Sequence, residues 1–302
     1  MSKINCQETF GFNPRFEVYS LTESSNLIPA KDKHYKFNKT TTQAILAGFA
    51  YNKKVMITGL HGTGKSTHIE QVAARLNWPT LRINLDGFIT RIELIGRDSI
   101  VLREGVQVTE FFEGILPWAA RNGIALILDE YDAARPEVLF VLQQLLEANG
   151  RLSLIENNIN ITPHENFRLF ATSNTTGSGD NLGIYQGTQY LNQGQLDRWN
   201  IMARLDYILP EDEIKIVKAK VAAIREETVI QMVEFATLTR DGFKLGAVTQ
   251  LMSPRTVINW AENYMIFNSL KDSLNFSFIN RCSEEDKEVY SEYFQRVFDS
   301  EL

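Results

Sequence analysis

Residues 59–66 read Gly-Leu-His-Gly-Thr-Gly-Lys-Ser, the pattern G-x-x-x-x-G-K-[ST] of a phosphate-binding loop. The flanks make the motif decisive. Lys54–Thr58 before it is a short apolar run that predicts a strand. After it, Ile69, Val72, Ala73 and Leu76 recur at the spacing of one helix face. A strand, a glycine loop and a helix in that order turn backbone N–H groups inward, with the positive end of the helix behind them. Gly59, His61, Gly62, Thr63, Gly64, Lys65, Ser66 and Thr67 are therefore the candidate nucleotide-binding residues. Lys65 is placed to reach the β- and γ-phosphates, and the Ser66 hydroxyl to hold Mg²⁺.

The rest of the chain must supply a parallel sheet to carry that loop. Thr80–Leu85, Phe167–Thr172 and Met202–Leu209 are further strand candidates, and Gly123–Asp129 is nearly continuous in apolar residues, as a strand buried on both faces requires. Thr40–Ala50 reads as a helix leading into the first strand. Pro136–Ala148 reads as another, with Pro at its first turn and Gly150 just past its end. Strands alternating with helices predict an α/β fold with a parallel sheet flanked by helices. From Pro210 the pattern becomes helical only, over Glu211–Val221, Glu226–Thr239, Pro254–Phe267 and Glu284–Asp299, the last with Ser283 as N-cap. The expected organisation is an irregular N-terminal extension at 1–39, an α/β nucleotide-binding core at 40–209 and a small all-α lid domain at 210–302.

Hydrolysis needs carboxylates at a second strand end. Leu126-Ile127-Leu128-Asp129-Glu130 supplies them: Asp129 to hold the Mg²⁺ shell, Glu130 to orient and polarise water. Asn174 ends the following strand, where it either binds water or γ-phosphate or simply suits a tight turn. Residues 174–196 are rich in Gly, Asn, Gln and Thr, and a loop of that length is usually functional or mobile. It runs into Gln195-Leu196-Asp197-Arg198-Trp199. Arg198 could reach a neighbouring subunit's γ-phosphate, or could form only a local surface pair with Asp197.

Composition excludes several classes. The formal net charge of −6 argues against a nucleic-acid footprint. Two cysteines at opposite ends and four histidines form no metal-ligand spacing. No apolar run is long enough for a bilayer, and the N-terminus lacks a signal-peptide core, so a cytoplasmic location is expected.

The phosphate loop, Asp-Glu strand, strand-end Asn, arginine before the last strand and helical tail, in this order, resemble the AAA+ ATPases. Residues 86–118 are similar to the helix-2 insert of the MoxR branch, and 150–163 to the hairpin that this clade places before its fourth strand. Leu196-Asp197-Arg198-Trp199 is similar to its arginine-finger motif, and Ser253-Pro254-Arg255 to its second-sensor motif. Within that branch, THIEQVAARLNWP (67–79), VTEFFEGILPWA (108–119), DEYDAARPEV (129–138), FRLFATSN (167–174), GTQYLNQGQLDRW (187–199) and SPRTVINWAENY (253–264) resemble the ATPase subunits of aerobic cobaltochelatases.

The resemblance implies an ATP- and Mg²⁺-dependent motor, an enzyme subunit that drives Co²⁺ insertion into hydrogenobyrinic acid a,c-diamide during cobalamin biosynthesis. It implies a homo-oligomeric ring, in this reading a hexamer. The implied partners are a von Willebrand-type metal-binding chelatase subunit and a large corrin-binding chelatase subunit, with no nucleic acid and no membrane. Arg198 then acts on the neighbour's nucleotide, and Arg255 contacts the phosphates from the lid. The insert and the hairpin become surfaces that push partners, although the insert could instead simply pack the ring. The alternative is a MoxR-type chaperone that remodels another metalloprotein with a von Willebrand-type partner through the same ATPase residues. A DNA motor fits poorly, because Arg91, Arg97 and Arg103 in the insert are outnumbered by Asp86, Glu93, Asp98, Glu104, Glu110 and Glu113.

Overall fold

Single apolar residues spaced through the N-terminal segment, too sparse to show a period, nonetheless anchor it. Strand β1 (Ser2–Lys3) pairs antiparallel with β2 (Tyr19–Ser20), and between them lies helix α1 (Cys6–Phe10), capped by Asn5. The segment is thus not uniformly irregular, as its sequence suggests, because Cys6, Phe10, Phe12 and Val18 are buried in a core cluster. The computed structural model describes residues 1–86, 88–147, 150–154, 159–176 and 190–302. These divide into two units: 1–32 with 37–60 and 64–205, and 33–36 with 61–63 and 206–302.

In the first unit, helix α2 (Lys39–Tyr51) starts at Asn38, whose side chain accepts the Thr41 amide at 3.0 Å. Strand β3 (Val55–Thr58), helix α3 (Lys65–Arg75) and strand β4 (Thr80–Asn84) follow. The insert comprises α4 (Arg91–Ile95), an antiparallel hairpin of β5 (Gly96–Arg103) and β6 (Val106–Glu113), and α5 (Ile115–Arg121). Strand β7 (Ala125–Asp129) ends in a 3-10 turn at Tyr131–Ala133. Helix α6 (Pro136–Leu146) and a small hairpin, β8 (Leu152–Leu154) with β9 (Ile159–Ile161), come next. Strand β10 (Arg168–Ser173), helix α7 (Gln193–Leu196) and strand β11 (Ile201–Arg204) complete the unit. Two expected features lie partly outside the described residues: the 150–163 hairpin at 155–158 and the glycine-rich loop at 177–189.

Five strands form one parallel sheet in the order β11–β3–β10–β7–β4. Strand side chains alternate in direction, so a strand covered on both sides must be apolar at every position. Ala125 and Ile127 of β7 enter one core cluster with Val55, Ile57 and Phe170; Leu126 and Leu128 enter the other with Met56, Leu169 and Ala171. The fifth strand is shorter than expected. The Leu205 amide makes a last bond to Thr58 O at 2.8 Å. Asp206–Leu209 then leave the sheet before Pro210. Pre-proline geometry keeps Leu209 extended, which mimics a strand in the sequence without pairing.

The second unit is helical: α8 (Pro210–Lys220), α9 (Glu226–Lys244), α10 (Pro254–Phe267), α11 (Leu270–Ser277) and α12 (Glu284–Phe298). Ser283 caps α12 by accepting the Asp286 amide at 3.2 Å. Helix α9 runs past its expected end at Thr239 because its last turns are held from inside. Arg240 forms a buried bidentate pair with Glu213 (2.6 and 2.7 Å) and donates to Met252 O at 2.7 Å. Helix α11 was not evident in the sequence. Trp260 Nε1 donates to Leu270 O (3.2 Å) and Ser273 Oγ (3.1 Å), tying its first turn to α10.

Candidate active site

The site grows from the carboxyl ends of β3, β7 and β10. Gly64 takes a left-handed conformation (φ 84°) that only glycine adopts cheaply, and there the loop turns into α3. The first amides of α3 have no carbonyl one turn earlier to bond, which makes this helix start a natural anion seat. Lys65 is buried, and its ammonium donates to Gly59 O (2.7 Å), Leu60 O (3.0 Å) and Asn174 Oδ1 (2.9 Å). Burial pulls its pKa down to about 8, against the opposing pull of Asp129, Asp132 and Glu130.

Asp129 stands at the end of β7 and collects donors on both oxygens. Ser66 Oγ donates to its Oδ1 at 2.5 Å, and Thr172 Oγ1 donates to the same oxygen. Arg82, one strand over on β4, donates to Oδ2 through Nε (2.8 Å) and through its terminal nitrogen. Burial pushes the Asp129 carboxyl up, but these hydrogen bonds and the Arg82 charge outweigh it and hold it below the ordinary aspartate range. Glu130 shows the opposite balance: burial, then Asp129 and Asp132, raise its pKa.

Glu130 is also strained. Its φ is 56°, a left-handed value costly for a residue with a Cβ, and its amide donates to Thr172 Oγ1 at 3.2 Å. One carboxylate held below the ordinary range beside one raised above it is chemically able to pair cation binding with proton transfer.

Of the other sequence candidates, Asn174 is brought to Lys65. His61, Gly62 and Thr63 group with the second unit, where Tyr207 OH donates to His61 O at 2.6 Å. A Cβ at Gly62 (φ 73°) would meet Ser253 Cβ at 2.3 Å, so that position too requires glycine. Thr67 is half-buried on α3. Arg255 lies in the second unit, exposed in the first turn of α10 behind the Ser253 cap. Arg198 does not pair with Asp197. Its Nε donates to Glu147 Oε1 at 2.8 Å, and a terminal nitrogen donates to Gly194 O. Its neighbour Trp199 is buried edge-on against Tyr131, with ring centroids 5.2 Å apart, so the residues following Glu130 and Arg198 pack on each other.

Sequence reasoning missed Arg82, Thr172 and Asp132. Two carried a readable signal in their immediate neighbours: Arg82 lies between Leu81 and Ile83, and Thr172 follows Phe170 and Ala171.

Fold, loop and carboxylate strand together define a phosphate-loop ATPase of the AAA class. The AAA domain (dynein-related subfamily) family matches residues 54–193. Among solved structures, a point mutant of Thermotoga maritima RuvB shares 13% identity at a TM-score of 0.51, covering 86% of this chain and 76% of its own. NtrX from Brucella abortus, in complex with ATP, shares 17% at 0.52, covering 90% and 56%. These two speak for the fold. A protein named aerobic cobaltochelatase subunit CobS, from Sinorhizobium sp, is 50% identical over 303 residues, 99% of this chain and 91% of its own. The chain belongs to the CobS family of aerobic cobaltochelatase subunits. No helix among the described residues is long and apolar enough to cross a membrane.

Proposed function

We propose that this chain is the ATP-hydrolysing motor subunit of an aerobic cobaltochelatase, driving Co²⁺ insertion into hydrogenobyrinic acid a,c-diamide in cobalamin biosynthesis. The observation that carries the reading is the 50% identity to CobS over nearly the whole chain. The same match favours the chelatase over a MoxR-type chaperone. In this reading 40–209 is the nucleotide-binding core, 210–302 the lid and 1–39 an extension on the core, and the enzyme works in the cytoplasm.

Each residue then has a task. Lys65 and the amides of Gly62–Thr67 hold the phosphates of ATP. Ser66 Oγ and the Asp129 carboxylate are hard oxygen donors in mutual contact, a set suited to Mg²⁺. Bound there, Mg²⁺ neutralises charge on the phosphates. Glu130 orients water and takes its proton, a role its raised pKa suits. Asn174 fixes the water through Oδ1, the oxygen that now accepts from Lys65, or the γ-phosphate through its side-chain NH2 donors. Arg198 leaves Glu147 to stabilise the transferring phosphoryl group on the next subunit of a hexameric ring, and Arg255 reads the phosphates from the lid. The 86–118 insert and the 150–163 hairpin pass the resulting movement to a von Willebrand-type metal-binding subunit and a large corrin-binding subunit.

The test is a pull-down from the native cell with tagged Glu130→Gln protein and ATP, read by mass spectrometry. Recovery of a von Willebrand-type subunit with a very large chelatase subunit is the expected result. Recovery of the von Willebrand-type protein with a different enzyme, and no chelatase subunit, would refute the cobalt reading in favour of the chaperone.

A further inference from the structure

Asp132 sits three residues beyond Asp129, in the 3-10 turn that follows β7, and is fully buried. Its Oδ2 accepts the Asn174 amide at 3.1 Å, the Thr175 amide at 2.9 Å and Thr175 Oγ1 at 2.9 Å. Ser173 Oγ donates to Thr175 O at 2.6 Å and closes the same turn. The other carboxylate oxygen, Oδ1, is buried with no hydrogen-bond partner among the described residues. A buried carboxylate with one unpaired oxygen is costly, so the three donors gathered on Oδ2 are what hold it in place.

We propose that Asp132 is a positioning residue for ATP hydrolysis, acting through Asn174. It clamps the two backbone amides at the end of β10, and this fixes the Asn174 amide oxygen at the Lys65 ammonium, 2.9 Å away. Without the clamp, the strand-end turn is free to relax, and the Asn174 side chain loses its register with the phosphate loop. A displacement of about 1 Å in a positioned group costs on the order of a hundredfold in rate. The inference rests on the ATPase reading of this site and adds a residue to it.

A double-mutant cycle on the full chain, assayed in the assembled enzyme with its partner subunits, tests the proposal. The readouts are ATPase kcat, KM, thermal midpoint and the Kd of the fluorescent probe mant-ATP. A role through Asn174 predicts that Asp132→Ala and Asn174→Ala each lower kcat by about tenfold or more, with mant-ATP Kd within about threefold of the parent. It predicts that the double variant falls no more than about twofold below the weaker single, because both changes remove one interaction. Asp132→Asn, whose amide oxygen can still accept from the Asn174 and Thr175 amides, should recover kcat to within about fivefold of the parent. Should Asp132→Ala fail to fold, Asp132→Ser takes its place in the cycle.

Multiplying losses in the double variant, an unchanged kcat in a folded Asp132→Ala, or an Asp132→Asn as slow as the Ala variant would each overturn the inference. No hydrolysis by the parental enzyme would overturn the ATPase reading itself.

Discussion

Strand β7 and the β5–β6 hairpin both carry apolar residues, yet they live under opposite conditions. Every residue of β7 is buried, with sheet neighbours on each side and a core cluster on each face. Among the described residues the hairpin has no third strand, and Ile100, Leu102, Val106 and Phe112 remain half to three-quarters exposed. It is held by its own ladder, by polar pairs such as Arg103 with Glu110 at 2.8 Å, and by Phe111, which packs against the core. A two-stranded hairpin is marginal alone in water, and apolar side chains as exposed as Ile100, Leu102 and Val106 add little to the stability of this chain. Strand β7 is where rigidity aims carboxylates; the hairpin is where apolar surface is left exposed.

The largest expected effect lies at the rigid end. Lys65→Ala should weaken mant-ATP binding by about a hundredfold or more, since it deletes the buried cation facing Asp129, Glu130 and Asn174. Near-parental affinity by fluorescence titration would break the assignment of this region as the nucleotide seat.

Next, Leu126→Ala in β7 should cost about 2–5 kcal/mol in chemical unfolding, the range for deleting a fully buried leucine. A cost under about 1 kcal/mol would mean that the core does not depend on this strand.

A third effect sharpens the picture behind the phosphate loop, where His68 of α3 is buried against Thr42 Oγ1 at 2.8 Å. Burial lowers its pKa to about 4, well under the free value of 6.5. Above about pH 6.5 the ring is neutral in folded and unfolded chains alike, and stability is at its full value. As pH falls from about 6.5 to about 4, the unfolded chain takes up the proton first, and about 3 kcal/mol is lost. His68→Gln should flatten the dependence of unfolding free energy on pH across that window. An unchanged slope would place its cause elsewhere.

The smallest effect on stability belongs to the hairpin. Ile100→Thr with Leu102→Thr should move unfolding by no more than about 0.5 kcal/mol, as exposed substitutions do. ATPase activity should stay near parental, while cobalt insertion by the reconstituted enzyme falls. Unimpaired insertion would leave the hairpin as ring packing only.

Much of the site was legible because its chemistry lies in short contiguous runs. The loop at 59–66, the apolar run ending in Asp129-Glu130 and Asn174 at a strand end each state their place locally. What escaped is made by strand order. Arg82 reaches Asp129 only because β4 lies beside β7, and Asp132 reaches Asn174 only because β10 lies on the other side. Neither adjacency follows from spacing along the chain. Arg198 was half-legible: its pairing with Glu147, 51 residues away, depends on where α6 ends relative to α7. Helix α11 escaped because its apolar residues are few and its hold on Trp260 is a tertiary one.

The central claim is that hydrolysis at Glu130 powers metal insertion. Its most direct test is Co²⁺ incorporation into hydrogenobyrinic acid a,c-diamide by enzyme reconstituted with Glu130→Gln protein, followed by absorbance with mant-ATP binding measured in parallel. The account predicts nucleotide binding within a few-fold of the parent and insertion below about one hundredth of the parental rate. Insertion at the parental rate with Glu130→Gln protein would contradict it.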